Sequence, residues 1–161
     1  MCAIFGIIDL ENKIDLKKKL THFSEKLVHR GPDFQSHWIS SNKKIGFGHC
    51  RLSIVDLNQR SNQPFLFQEN LVLTFNGEIY NFQQLRVILE KKGYQFKTFS
   101  DTEVLLFSYR EWKEKILDYL DGMFAFAIYD KKEDKIFLAR DISGQKPLYF
   151  SNQNGLFIFS S

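Results

Sequence analysis

The chain is short of cysteine, of net charge and of long apolar runs, and each shortage removes a class of protein. There are two cysteines in 161 residues, Cys2 and Cys50. With no secretion signal they read as reduced thiols of a cytoplasmic protein, and their spacing fits no zinc pattern. Four histidines (His22, His29, His37, His49) form no ligand-spaced pair, so no metal site is expected. No run approaches the eighteen or so apolar residues of a membrane span. The first residues also lack the basic start and long apolar core of a signal peptide. A net charge of +3 is weak, and the basic residues alternate with acidic neighbours in helical patterns. They read as a solvated face and not as a nucleic-acid patch. Internal repeats, low-complexity tracts and linkers are missing too.

What remains is a chain rich in core formers. Seventeen Phe among 43% hydrophobic residues suit one globular domain, residues 1–161, with a single core. Met1-Cys2-Ala3-Ile4-Phe5-Gly6-Ile7-Ile8 reads as a buried strand. Asp9 to Asn12 reads as a polar turn. Asp15 can cap a helix over residues 15–28, with Leu16, Leu20, Phe23 and Leu27 at helical spacing. His29-Arg30-Gly31-Pro32-Asp33 breaks it. Strands follow at residues 34–39 and 45–55, a loop at 56–64, and extended runs at 65–67 and 71–75. A second helix covers residues 82–92, stopped by Gly93, and residues 95–99 alternate like a short strand. Ser100-Asp101-Thr102-Glu103 is an N-cap box opening a helix to about residue 109, with another short helix at 113–120. Strands close the chain at 123–129, 135–139, 148–150 and 156–159. Many extended runs with few helices between them indicate an α+β domain with largely antiparallel sheets.

Cys2 has two readings. Removal of Met1, which the small Cys2 side chain permits, would make one residue carry both a thiol and a free α-amine. Ordinary thiols ionise near pH 8.5 and α-amines at roughly 7.7–8.0, so such an amine can serve as base for the sulfur. The plain reading is a small buried hydrophobe. Arg51, set in an apolar stretch, is either paired structurally or grips a carboxylate in two prongs. Asn76-Gly77-Glu78 follows the run 71–75. Its side-chain amide and glycine N–H can stabilise an oxyanion, yet Asn-Gly is also a strong hairpin signal. Asp101 is either functional or a favourable charge at a helix head.

Taken together, the motifs resemble those of class II glutamine amidotransferases. Met1-Cys2-Ala3-Ile4-Phe5-Gly6, His29-Arg30-Gly31-Pro32-Asp33, Arg51-Leu52-Ser53-Ile54-Val55-Asp56 and Asn76-Gly77-Glu78-Ile79-Tyr80-Asn81 stand in that family's order. Ser100-Asp101-Thr102-Glu103, Asp121-Gly122-Met123-Phe124-Ala125-Phe126 and Lys146-Pro147-Leu148-Tyr149 continue it. The chain is most similar to the glutaminase domain of asparagine synthetases. The resemblance implies an N-terminal-nucleophile hydrolase-like, four-layer αββα sandwich with two mainly antiparallel sheets. It implies hydrolysis of L-glutamine to L-glutamate and ammonia, with Cys2 attacking the side-chain amide and Asn76 and Gly77 forming the oxyanion hole. Arg51 then resembles the clamp for the α-carboxylate, and Glu78 and Asp101 the partners of the α-ammonium. The backbone of Leu52, Ile54 and Val55 would line the pocket.

Three departures qualify the match. The family's Arg-Phe-Gly-Ile is replaced by Ile142-Ser143-Gly144-Gln145, distant from the glutamine-site motifs, with an effect expected on specificity or domain contact. Cys50 stands where the family varies and reads as core. The chain also ends at Ser161, where such enzymes run on into a synthetase domain; neither a Ser-Gly-Gly-x-Asp-Ser segment nor a Walker-type loop is present. No metal or organic cofactor is expected here, ATP and magnesium belonging to the absent synthetase domain or subunit that receives the ammonia. The acid amidated is aspartate by default. Sugar carboxylates and polysaccharide precursors are alternatives, as is a non-catalytic docking or regulatory module.

Overall fold

An unbroken apolar run, buried on both faces, suits the first strand, β1 (Ala3–Asp9), to the centre of a sheet. The structure, a computed structural model, describes residues 2–53, 61–68 and 70–161. β1 is flanked by β3 (Ile45–Arg51) and β9 (Leu156–Ser160), with β2 (Phe34–Ile39) and β8 (Tyr149–Gln153) outside them. A second sheet runs β4 (Phe65–Phe67), β5 (Leu71–Ile79), β6 (Gly122–Asp130), β7 (Lys135–Arg140). All paired strands in both sheets are antiparallel.

Side-chain parity sorts the apolar residues into three interfaces. Ala3, Phe5 and Ile7 of β1 point, with Cys50, onto helix α1 (Leu16–Leu27), meeting Leu16 and Leu20. The opposite face carries Ile8, Ile45, Phe47 and Phe159 onto Val72, Ala127 and Tyr129 of the second sheet. That sheet's outer face, including Leu73, Phe75, Phe126 and Ile128, packs on Leu85 and Leu89 of α2 (Phe82–Lys91) and on Val104 to Phe107 of α3 (Asp101–Trp112). The layers are therefore α1, sheet, sheet, α2 with α3: the expected αββα sandwich. Gly6 leaves room on this face for the rings of its two cross-strand neighbours: a Cβ there would sit 2.3 Å from the Phe159 ring and 2.9 Å from that of Phe47.

The helix ends follow their sequence signals. Asp15 accepts from the Lys18 N–H at 3.1 Å, and Ser100 accepts from the Glu103 N–H at 3.4 Å. Gly93, at φ +92, ends α2 with Gly93 N–H bonded to the Glu90 carbonyl and Tyr94 N–H to that of Leu89.

Several expectations need correction. Asp9 belongs to β1 and not to a turn; its buried carboxylate accepts from the Ile14 N–H at 2.9 Å. Asn76-Gly77-Glu78 is not a terminus, since β5 continues through it to Ile79 in unbroken register with β6. Residues 95–99 form no strand. Their backbone groups are taken by side chains instead: Lys97 and Thr98 N–H donate to Glu103, and the Thr98 carbonyl accepts from Arg86. The helix α3 runs to Trp112, past the expected end. Of the expected strand 45–55 and loop 56–64, residues 54–60 lie outside the described residues, and β3 is seen to Arg51. Cys50 is core as expected, and burial pushes its thiol up to about 11.

Candidate active site

Strands β1, β3 and β5 and the head of α3 converge on a cavity of about 190 Å³. Seven of the nine sequence-predicted residues line it: Cys2, Arg51, Leu52, Asn76, Gly77, Glu78 and Asp101. The other two, Ile54 and Val55, lie outside the described residues.

Cys2 precedes β1 and is half-buried. The Leu52 N–H donates to its sulfur at 3.4 Å, and the sulfur lies 3.6 Å from the Leu52 carbonyl. A backbone donor is thus already aimed at the sulfur lone pairs. Arg51 ends β3, 5% exposed, with Nη1 donating to Asn62 Oδ1 at 2.6 Å. The His29–Asp33 motif buttresses this point: Gly31 packs so close that a Cβ would stand 2.2 Å from the Cys50 carbonyl. The Asp33 N–H then donates to the Arg51 carbonyl, and the Ser53 N–H to the Asp33 carboxylate at 2.7 Å.

Asn76 is buried on β5 and donates from Nδ2 to Ser161 Oγ at 2.9 Å, leaving one amide hydrogen uncommitted by that bond. Gly77 and the exposed Glu78 follow it. Asp101, 7% exposed, accepts from the Ile79 N–H at 3.1 Å. Burial pushes its carboxyl up to about 6 against the N–H groups of Ile79 and Thr102, and the Glu78 charge adds to the rise.

Other cavity residues were not assigned from the sequence. Lys146 and Met123 line the cavity as well, each within a motif of the resemblance but with no chemistry the sequence alone points to. His49 lies two residues before Arg51 on β3, a parity that could have flagged it. Burial pushes it down to about 3, so the ring is neutral; Nε2–H donates to the Phe75 carbonyl at 3.2 Å. Gln63, which lines the cavity, and Asn62, which accepts from Arg51, carry no periodic signal, and nothing in the pattern singles them out.

Chemically, the cavity offers a thiol, amide-type donors, a guanidinium and two carboxylates. The αββα sandwich of two antiparallel sheets is the layer order of the N-terminal-nucleophile hydrolase fold. Comparison with known proteins gives the family: the chain belongs to the glutamine amidotransferase domain family, whose profile matches residues 1–161. It is 38% identical to glutamine-hydrolyzing asparagine synthetase 3 of Bacillus subtilis (strain 168), over 100% of this chain and 26% of that protein. To glutamine-hydrolyzing asparagine synthetase B of Escherichia coli (strain K12) it is 44% identical, over 92% of this chain and 26% of that protein. The chain thus spans about a quarter of the length of these relatives. Among solved structures, glutamine phosphoribosylpyrophosphate amidotransferase from B. subtilis, complexed with ADP and GMP, shares the fold. The TM-score is 0.82 at 24% identity, covering 99% of this chain and 41% of that one. Among the described residues, no helix is long and apolar enough to cross a membrane.

Proposed function

We propose that this domain hydrolyses L-glutamine to L-glutamate and ammonia with Cys2 as nucleophile, and that a synthetase domain or subunit uses the ammonia for an ATP-dependent amidation. The observation that carries the reading is the charge layout of one cavity. Arg51 at the end of β3, Glu78 on β5, Asp101 at the head of α3 and Cys2 all line it. A free amino acid offers one carboxylate and one ammonium, and this guanidinium with the two carboxylates complements both.

With Met1 removed, the Cys2 α-amine takes the thiol proton and the sulfur attacks the amide carbon of glutamine. Negative charge collects on the former carbonyl oxygen, where Asn76 Nδ2 and the Gly77 N–H donate; losing one such donor typically costs about a hundred- to a thousand-fold in rate. The protonated amine returns its proton to the leaving nitrogen, ammonia departs, and a γ-glutamyl thioester remains. Water, activated by the same amine, cleaves the thioester to glutamate and regenerates the thiol. No metal or organic cofactor takes part in these steps; ATP and magnesium act in the amidation that follows. The two asparagine synthetase relatives favour aspartate as the acid amidated, and reduced thiols favour a cytoplasmic setting.

The test is glutamate release from glutamine by the purified protein and by Cys2→Ala. The wild type turns over, begins at Cys2 on N-terminal sequencing, and the variant is inactive while keeping its fold by circular dichroism. Equal rates would refute the nucleophile assignment.

A further inference from the structure

β5 is nine residues long, but β4 pairs with only its first three, Leu71 to Leu73. Backbone groups alternate along a strand, so those of every second residue face β6 and the rest face the side that β4 leaves bare. On that bare edge stand Phe75, Gly77 and Ile79. Phe75 is claimed twice: its N–H donates to Gln63 Oε1 at 2.6 Å, and its carbonyl accepts from His49 Nε2 at 3.2 Å. The Ile79 N–H donates to Asp101 Oδ2 at 3.1 Å. Between them the Gly77 N–H faces the cavity, and no side chain among the described residues takes it. The edge is thus tied down on both sides of the one peptide left open.

Gln63 is built to make such a tie. It is 7% exposed and lines the cavity. Its backbone carbonyl accepts from the Ser36 hydroxyl on β2, which anchors it to the first sheet. Its Nε2 donates to Thr102 Oγ1 at 3.4 Å, one residue past Asp101 on α3. One side-chain amide therefore links the strand bearing Asn76 and Gly77 to the helix bearing Asp101.

The geometry points to Gln63 as a positioning residue that stands in for the missing end of β4 and holds the Gly77 N–H at the oxyanion position. This rests on the glutamine-hydrolysis reading above and adds to it a residue outside the predicted set. Gln63 acts mainly through its 2.6 Å bond to Phe75; when it is removed the donor shifts, while Asp101 keeps its own bond from the Ile79 N–H and, with Arg51 and Glu78, still holds the substrate's charged ends. The loss then falls on kcat and not on KM.

The experiment compares wild type, Gln63→Met and Gln63→Glu in glutamine hydrolysis, with backbone amide exchange followed at Phe75. Methionine is close in size and lacks both polar atoms. Glutamate keeps an oxygen for the Phe75 N–H and can accept from the Thr102 hydroxyl. Displacing a catalytic group by about 1 Å can cost about a hundred-fold. Accordingly Gln63→Met loses about ten- to a hundred-fold in kcat, with KM within about three-fold, and its Phe75 amide exchanges at least about ten-fold faster. Gln63→Glu recovers most of both. A folded Gln63→Met with wild-type kcat overturns the inference, and so does a Gln63→Glu that restores Phe75 protection without restoring kcat. A wild type inert to glutamine overturns the functional reading and the catalytic half of this one. Exchange at Phe75 in Gln63→Met then decides the clamp by itself: faster supports it, unchanged overturns it.

Discussion

On the proposed reading, Asp101 gives glutamine binding a pH dependence whose sign and size can be worked out. Its carboxyl stands at about 6 in the empty domain because it is buried and has Glu78 beside it. An α-ammonium attracts the ionised form only, so binding must expel the proton wherever Asp101 holds one. With a pKa of about 6, roughly ten of eleven molecules are ionised at pH 7 and roughly one of eleven at pH 5. The dissociation constant for glutamine is therefore nearly flat above pH 7 and rises about ten-fold between pH 7 and pH 5. Calorimetry on Cys2→Ala measures this without turnover, and proton release on binding grows as the pH falls through 6. Glu78→Gln moves the inflection to lower pH, and Asp101→Asn in the same background binds weakly with no inflection near 6. The stability of the empty domain runs the other way. A carboxyl raised from 3.8 to about 6 contributes stability that is fully present below 3.8 and lost as pH rises through about 6. The difference is on the order of 3 kcal/mol at about 1.36 kcal/mol per unit. A dissociation constant that stays level from pH 7 to pH 5, or falls, would refute the assignment of Asp101 to the ammonium.

Two further outcomes are expected. Arg51→Ala removes the carboxylate's partner, and a loss of about 2 kcal/mol of ground-state binding corresponds to a KM raised about thirty-fold with kcat little changed; unaltered saturation would place the clamp elsewhere. Asp141 is 4% exposed and accepts from the N–H groups of Phe124, Gln145 and Lys146 at 2.8–3.1 Å. Burial alone would raise its carboxyl, but those three N–H groups hold it below the ordinary value, so its contribution is present above pH 3.8 and lost in stronger acid. Asp141→Ala leaves three donors without their acceptor and costs about 3 kcal/mol or more, read as a lower urea midpoint at unchanged slope.

Local chemistry made some of this legible and hid the rest. Asp15 and Ser100 announce helices because a side-chain oxygen one residue ahead of a helix satisfies an end N–H wherever the chain sits. The apolar spacing Leu16, Leu20, Phe23, Leu27 likewise fits only one helix face, and all four reach the α1 interface. Asn76-Gly77 misleads at short range. Its turn preference is overridden by β6, which pairs Asn76 with Ala125 and Gly77 with Phe124. Residues 95–99 alternate like a strand, but Glu103 and Arg86 occupy the backbone groups that a neighbouring strand would need. In the cavity, charged and nucleophilic residues were readable because each has few uses in an apolar setting. Gln63 was not, nor was Asn62, the partner of Arg51, because an amide in a loop carries no pattern until the groups it serves are in place.

The central position of β1 also has a consequence in time. One edge of β1 pairs with β3, complete by Arg51, but the other waits for β9, where Phe5 faces Ser160 and the Ser160 hydroxyl and Ser161 N–H both donate to the Ile4 carbonyl. Closing that pair spans nearly the whole chain, a connection that folds slowly because its entropy must be lost before its contacts form. During synthesis β1 emerges well before β9, so its second edge stays open until residues 156–160 arrive. A truncated chain lacking β9 therefore carries the thiol on a strand with one edge unpaired, and on the proposed reading it gains its activity only with residues 156–160 in place.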